Sequence, residues 1–356
     1  MLRRSGLARE LKFHQAVLEA TDQCMAADPN VYLMGLGAPD PKGIFGTTLG
    51  LAAKYGDRRV MDMPASENAM TGVAIGSALA GMRPIMTHQR VDFALLAFDQ
   101  LVNNAAKWRY MFGGRLKVPL VVRLVIGRGW GQGPQHSQSL ESVFAHIPGL
   151  KVVMPSTPYD AKGLLIAAVE DDNPVIFLEH RWLHGVFGRV PRRPYRVPIG
   201  AAKTVRPGGD VTIAASSYAT LEALRAAEVL AEEGVSAEVV DMRSLRPLDG
   251  PRLLASVRKT GRLIAVDNGW RAFGFAAEIV ALAAEAAFRA LKCPPRRISP
   301  PETPVPTSWA LSNRYYPGSR HIVDAALSML GRKARRWPKQ ENVPRDKPDP
   351  SFTGPF

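Results

Sequence analysis

Three short stretches of this 356-residue chain hold side chains suited to chemistry. The first is "MPASENAMTGVAIGSALAG", Met63 to Gly81, in which Glu67 is the one carboxylate. The residues around it are small, apolar or neutral. A helix N-terminus favours an anion, so Glu67 can be a simple cap, and Ser66 can cap as well. The other reading is a desolvated acid wrapped by Ala65, Ala69, Gly72 and Ala74. Burial raises the pKa of such a group, which can then share a proton with a ring nitrogen of a bound heterocycle. The second stretch is "GRGWGQGPQHSQ" (127–138), where glycines permit close ligand approach and His136 offers an imidazole. A loop histidine is commonly structural, so both readings stand. The third is "THQRVDF" (87–93), which gathers His88, Gln89, Arg90 and Phe93.

Several chemistries are missing from these stretches. No Gly-Lys-Ser/Thr follows the glycines, so "GRGWGQG" is not a phosphate loop, and no strand–GxGxxG–helix fingerprint is present. There is no GxSxG elbow, and no pair among the seven histidines forms a metal motif with an acidic neighbour. The two cysteines, Cys24 and Cys293, make neither a disulfide framework nor a zinc cluster and read as core thiols.

The elements that must position these residues follow from hydrophobic patterning. Continuous apolar runs at 31–35, 83–87, 119–127, 151–155 and 174–180 predict strands covered on both faces. Helical patterns fall between them, at about 13–27, 67–81, 94–112 and 158–171. Strand–helix alternation implies an α/β domain with a mostly parallel sheet. Such sheets bind ligands beyond the carboxyl ends of their strands, which is where 87–93, 127–138 and "HRWLHG" (180–185) lie.

Pro and Arg accumulate at 189–200, a linker, before a second α/β pattern. Its strands are predicted at 211–217, 237–243 and 262–269. Between the first two a helix is expected whose Leu221, Leu224, Ala227 and Ala231 share one face, and a longer one spans 275–291. The Pro-rich segment 294–318 reads as extended, and a short helix at 319–331 precedes a basic tail. The expected organisation is a domain over 12–188, the linker 189–200, a second domain over 201–331 and the tail 332–356. The fold class is α/β, with two doubly wound domains.

A hydrophobic content of 46% and a charged content of 22% describe a globular chain. No apolar run reaches the roughly 18 residues of a membrane span. The basic start lacks the apolar core of a secretory signal, so a cytoplasmic location is expected. The net charge of +14 is spread along the chain, without a zinc finger or RNA-binding aromatic motif. It fits a solvated basic surface, or attraction of anionic substrates or an acidic partner.

The blocks "ASENAMTGVAIGSALAGMRPI", "DFALLAFDQLVNNAAKWRYMFGG" and "QHSQSLESVFAHIPGLKVVMPSTPYDAKGLL" resemble the beta subunit of 2-oxo acid dehydrogenases. These are transketolase-like thiamine diphosphate enzymes. "AEVVDMRSLRPLD" and "SVRKTGRLIAVDNGW" resemble the C-terminal domain of the same subunit, and the similarity spans about residues 12 to 330. It implies a pyrimidine-binding domain followed by a transketolase C-terminal-like domain. It implies that Glu67 hydrogen-bonds the aminopyrimidine of thiamine diphosphate, that Phe93 packs on that ring, and that His136 serves the substrate side. It places Asp99 in a polar channel between paired sites. It places Leu120, Ala168, Val169, Asp171 and Asn173 around a structural potassium ion, whose hard-cation preference suits carbonyls and one carboxylate. The Gly-Asp-Gly…Asn motif for magnesium and diphosphate is absent from the chain. The resemblance assigns that motif to a separate alpha subunit in an α2β2 heterotetramer, docked on a lipoyl acyltransferase core. The implied reaction decarboxylates a 2-oxo acid and passes the acyl group to lipoamide.

The chain departs from that pattern in places. Gly35-Leu36 stands where the family usually has Gly-Glu, removing one acid of the channel. His88-Gln89-Arg90 replaces aromatic and apolar residues of pyruvate-type members. These donors and cations suit a more polar or anionic substrate at a pocket edge, or else face a subunit interface. With the added tail they also motivate an alternative: a standalone carboligase or acyl-transfer enzyme of specialised metabolism.

Overall fold

The computed structural model describes residues 9–127 and 132–337. The chain forms two compact units. Among the described residues, one comprises 9–126 together with 143–199, and the other comprises 127 and 132–142 together with 200–337.

In the first unit the strands lie side by side in the order Lys151–Val153, Val175–His180, Val121–Ile126, Arg83–His88, Val31–Met34 and Val60–Met61. All pair in parallel. Every residue of Val121–Ile126 and Val175–His180 is buried, as expected of strands covered on both faces, and the polar members Arg123, Glu179 and His180 are buried with the apolar ones. Successive side chains alternate between the faces. The helix Glu67–Leu79 covers one face, where Thr71 donates to the sulfur of Met86 at 3.4 Å. The helices Phe13–Ala27 and Pro158–Glu170 pack on each other. The first of them meets the sheet's other side, where Phe13 stacks on His184. A two-stranded antiparallel ribbon, Arg9–Lys12 with Phe187–Val190, had no alternating signal in the sequence to announce it.

The second unit orders its strands Arg296–Ile298, Leu263–Val266, Val211–Ala215, Ala237–Asp241 and Lys203–Arg206. The last of these is antiparallel and the others parallel. The helices Tyr218–Glu232 and Ser319–Met329 pack on one face around Val211, Ile213, Val239 and Ile264. On the other face Thr212 bonds Ser256 and Thr260 of the helix Gly250–Thr260. Asp249 caps that helix through the N–H of Arg252 at 3.1 Å.

Three expectations need correcting. The buried face of Tyr218–Glu232 is Ala219, Ala223, Ala226, Ala227 and Leu230, while Ala231 is exposed. Small side chains on that face let the helix sit close to the sheet, and Leu221 and Leu224 flank it half-buried. The segment 294–318 is not extended throughout: it holds the strand Arg296–Ile298 and the helix Trp309–Tyr315. The region 94–112 is helical but irregular, passing from a 3₁₀ stretch (Val91–Ala97) through a π stretch (Gln100–Ala105) to an α turn (Ala106–Met111). Among the described residues no helix is long and apolar enough to cross a membrane.

Candidate active site

The segment after Val60–Met61 is pinned by Asp62, whose carboxylate accepts from the N–H of Gly37 at 2.8 Å and of Met63 at 2.9 Å. The helix then begins at Glu67, which is 7% exposed. Ser66 occupies the capping position, but its hydroxyl makes no capping bond, so it does not cap as the sequence suggested. Thr71 donates to the backbone oxygen of Glu67 at 2.7 Å and leaves the carboxyl alone. Among the described residues no group donates to the Glu67 carboxylate, and neither of its oxygens is sealed from solvent. A buried acid at the positive end of a helix, with its oxygens unclaimed, can bond a group brought in from outside.

The helix runs antiparallel to the strand Arg83–His88 that follows it, so Glu67 lies one turn before Thr71, toward the strand's carboxyl end. His88 lies two positions beyond Met86 and therefore points to the same face of the sheet. It is almost fully buried, and burial pushes its pKa down to about 4. Its Nε2 has no hydrogen-bond partner among the described residues. Phe93 follows on the 3₁₀ stretch and is half-buried. The carboxyl end of this sheet face thus carries an acid, a neutral imidazole and an aromatic ring.

Gln89 and Arg90 make contacts separate from those of His88. Gln89 donates to the backbone oxygen of Leu36 at 3.1 Å. Arg90 is 3% exposed, with its guanidinium 5.2 Å from the ring centre of Phe45. Arg181 lies 4.5 Å from the same ring centre. Phe45 has a φ of +48°, a left-handed conformation uncommon for an aromatic residue. The two arginines are held by the loop that contains Phe45.

A buried ion network lies on the face opposite Glu67. Arg123 donates to Glu179 through Nε at 2.6 Å and Nη2 at 3.1 Å, and His184 Nε2 is 3.3 Å from the same carboxylate. His180 and His184 both belong to "HRWLHG", the segment at the carboxyl end of the strand Val175–His180. Burial depresses His180 to about 3 and His184 to about 4. Unfolded histidines titrate near 6.5, so the folded state binds fewer protons between that value and about 4. Stability contributed by these neutral histidines is therefore present above about pH 6.5 and lost on acidification. Guanidinium midpoints should fall as the pH drops from 7 toward 5. A midpoint that stays level would show that the histidines are not held neutral.

His136 belongs to the second unit and is exposed. Its loop is closed by Gly127 N donating to Gln138 O at 3.0 Å, and Gln138 Nε2 donates to Gln135 O at 3.0 Å. Residues 128–131 of the glycine-rich stretch lie outside the described residues. Asp99 is exposed and accepts from Asn103 Nδ2 at 2.6 Å.

The residues expected around potassium are engaged by protein donors. Arg83 Nη1 donates to the backbone oxygens of Val169 at 2.9 Å and Asp171 at 3.3 Å. The Asp171 carboxylate is paired with Lys151 and also accepts from Asn173 Nδ2 at 2.7 Å. Leu120 O accepts from Val175 N at 2.8 Å, and Ala168 O from Asp171 N at 3.3 Å. These bonds tie the loop to Arg83, Lys151 and the neighbouring backbone. Exchanging potassium for sodium at constant ionic strength should leave the melting temperature unchanged, and a rise specific to potassium would restore the ion.

Comparison with known proteins adds the following. Residues 9–185 match the transketolase pyrimidine-binding domain, and residues 200–322 the transketolase C-terminal domain. The chain is 48% identical over 334 residues to the acetoin:2,6-dichlorophenolindophenol oxidoreductase subunit beta of Cupriavidus necator, covering 91% of this chain and 98% of that one. It is 42% identical to the protein of the same name from Bacillus subtilis, covering 92% and 99%. It is 41% identical to the mitochondrial pyruvate dehydrogenase E1 component subunit beta-2 of Oryza sativa, covering 90% and 87%. Among solved structures, a split-gene transketolase described as an inactive beta4 tetramer superposes with a TM-score of 0.73 at 23% identity. That match covers 90% of this chain and 98% of the other, and it shows the fold.

Proposed function

The chain belongs to the transketolase-like family as a beta subunit of the 2-oxo acid dehydrogenase type, and from that membership we propose that it supplies the proton-handling half of an active site completed by an alpha subunit. The observation that carries the reading is Glu67: buried, at a helix N-terminus, with a carboxylate that no described residue engages. These features fit the aminopyrimidine of thiamine diphosphate, whose ring nitrogen needs one acid partner. Thiamine diphosphate, when bound, supplies the carbon nucleophile and electron sink for breaking a bond beside a carbonyl. Glu67 holds a proton at the ring nitrogen. Phe93 offers an apolar surface to the ring. His88, kept neutral by burial, adds no competing positive charge to that face. His136 is assigned the substrate side, where an imidazole can give or take a proton. Magnesium and the diphosphate are assigned to the alpha subunit, because this sequence lacks the motif that would hold them.

The relatives' names divide between pyruvate and acetoin, and so do the readings of the substrate. The first is decarboxylation of a 2-oxo acid with acyl transfer to lipoamide. The second is cleavage or formation of an α-hydroxyketone, a carboligase-type activity. The higher identity to the acetoin proteins favours the second. Exposed Val73, Leu95, Leu96, Tyr110 and Met111 on the first unit provide apolar surface for the partner, which we place in an α2β2 assembly. Co-expression with an alpha subunit, followed by assay with thiamine diphosphate and magnesium, tests these readings. 2-Oxo acids and acetoin should be compared, with lipoamide, aldehydes or the dye 2,6-dichlorophenolindophenol as acceptors. Turnover of acetoin with none of any 2-oxo acid would sink the decarboxylase reading. Inactivity on both would sink the assignment of Glu67.

A further inference from the structure

Two buried carboxyls in the second unit have no part in the chemistry above. Glu141 and Asp267 are each almost wholly buried and meet at Gly269, whose N–H bonds Asp267 and whose α-carbon approaches Glu141 Oε1; among the described residues no N–H donor reaches either Glu141 oxygen. Asp267 follows the strand Leu263–Val266. Its carboxylate accepts from Gly269 N at 3.1 Å and from Ala276 N at 2.7 Å. Ala276 lies in the first turn of the helix Phe275–Ala287, where the positive end of the helix dipole favours an anion. Burial pushes the Asp267 carboxyl up as well, but these N–H donors oppose that, and Asp267 is the better placed of the two to stay ionised. Glu141 sits five residues past His136 and three past Gln138, whose backbone oxygen closes the loop on Gly127. Gly269 makes the approach possible: a Cβ there would lie 3.2 Å from Ser139 O and 3.3 Å from Glu141 Oε1. Two ionised carboxylates cannot share such a site without severe repulsion.

We propose that Glu141 donates a retained proton to the Asp267 carboxylate, clamping the loop of His136 to the second unit's sheet and making Glu141 a positioning residue for His136. The assignment rests on the role given to His136 above. Burial first, and then the charge of Asp267, hold the Glu141 carboxyl well above the usual range. Asp267 is the ionisable group acting on it, since the turn at Gly269 contributes backbone N–H alone. An unfolded glutamate titrates near 4.3. The folded state keeps a proton above that value, so the stability linked to it is full below about pH 4 and is lost as the pH rises through the folded value, where the clamp itself opens. The histidines of the first unit give the opposite trend, so the contribution of Glu141 is read by comparing variants at each pH.

Glu141→Gln keeps an N–H donor to Asp267 and cannot ionise, whereas Glu141→Leu removes the donor. In the assembled enzyme, melting temperature and kcat/KM are measured from pH 5.5 to 9. Wild type should lose both toward the alkaline end, and the Gln variant should hold them. The Leu variant should lose about 10- to 10²-fold in kcat/KM across the range, the scale of a misplaced catalytic group. An alkaline profile in the Gln variant identical to wild type would overturn the proposal, as would wild-type kcat/KM in the Leu variant. His136→Ala separates the two readings. If it retains activity, the role of His136 fails, while the difference in melting profile between wild type and Glu141→Gln still reports the clamp.

Discussion

Glu67→Gln should slow turnover of the assembled enzyme by about 10²–10⁴-fold, the range for a positioned acid–base group. The substitution keeps the size and planarity of the side chain and removes its capacity to ionise. Little else depends on that carboxyl. Thr71 bonds the backbone oxygen of Glu67, Asp62 pins the preceding segment, and no described residue donates to the acid. Assembly and melting temperature should therefore match wild type. This separates a chemical role from a capping role, which would cost about 1 kcal/mol of stability and little rate. The decisive measurement is kcat beside a melting curve on the same preparation. Turnover at the wild-type rate would remove Glu67 from the mechanism. A fall in stability with unchanged rate would return it to the role of a cap.

Glu179→Ala should have the largest effect on stability, about 3–5 kcal/mol, because it strands the Arg123 guanidinium in the core without its counter-charge. Arg123 is 1% exposed and spends two N–H groups on Glu179. Burial alone would raise the Glu179 pKa, but Arg123 and His184 outweigh it and hold the carboxyl at about 2. Its stabilisation is therefore present above the unfolded value near 4.3 and is lost as the pH falls through about 2. Denaturant titration of the Ala variant checks the magnitude. The double variant Arg123→Leu, Glu179→Ala should recover part of the loss, since the two side chains are coupled. A double variant as unstable as the sum of the singles would show that the pair is not the source of the penalty.

Much of the scaffold was legible beforehand. Strands such as "PLVVRLVIG" and "PVIFLEH" are predominantly apolar on both faces, the pattern of a sheet covered on both sides, although nothing local showed that Arg123 and Glu179 within them pair in the core. Glu67 was legible as an acid where a helix begins. The face of Tyr218–Glu232 was misread because leucines drew attention from the alanines that the close-packed sheet requires. Arg90, Phe45 and Arg181 were not legible as neighbours, since three separate loops bring them together. The contacts of the loop near residue 170 were hidden for a similar reason: nothing there in sequence shows that Arg83 reaches its carbonyls. The Glu141–Asp267 pair joins a loop to a strand end far along the chain. Its one local trace is a glycine at 269, needed only once both partners are in place.

The loop of His136 leaves the first unit's sheet at Ile126 yet is counted with the second unit, whose remaining residues begin at 200. The natural crossover point for recombining this chain with its relatives is therefore not the Pro- and Arg-rich stretch before residue 200. A chimera joined there would inherit Asp267 and Gly269 from one parent and Glu141 from the other. Segments 127–142 and 200 onward form one inheritable module in two pieces, and libraries that exchange both together should yield more folded hybrids than libraries that exchange either piece.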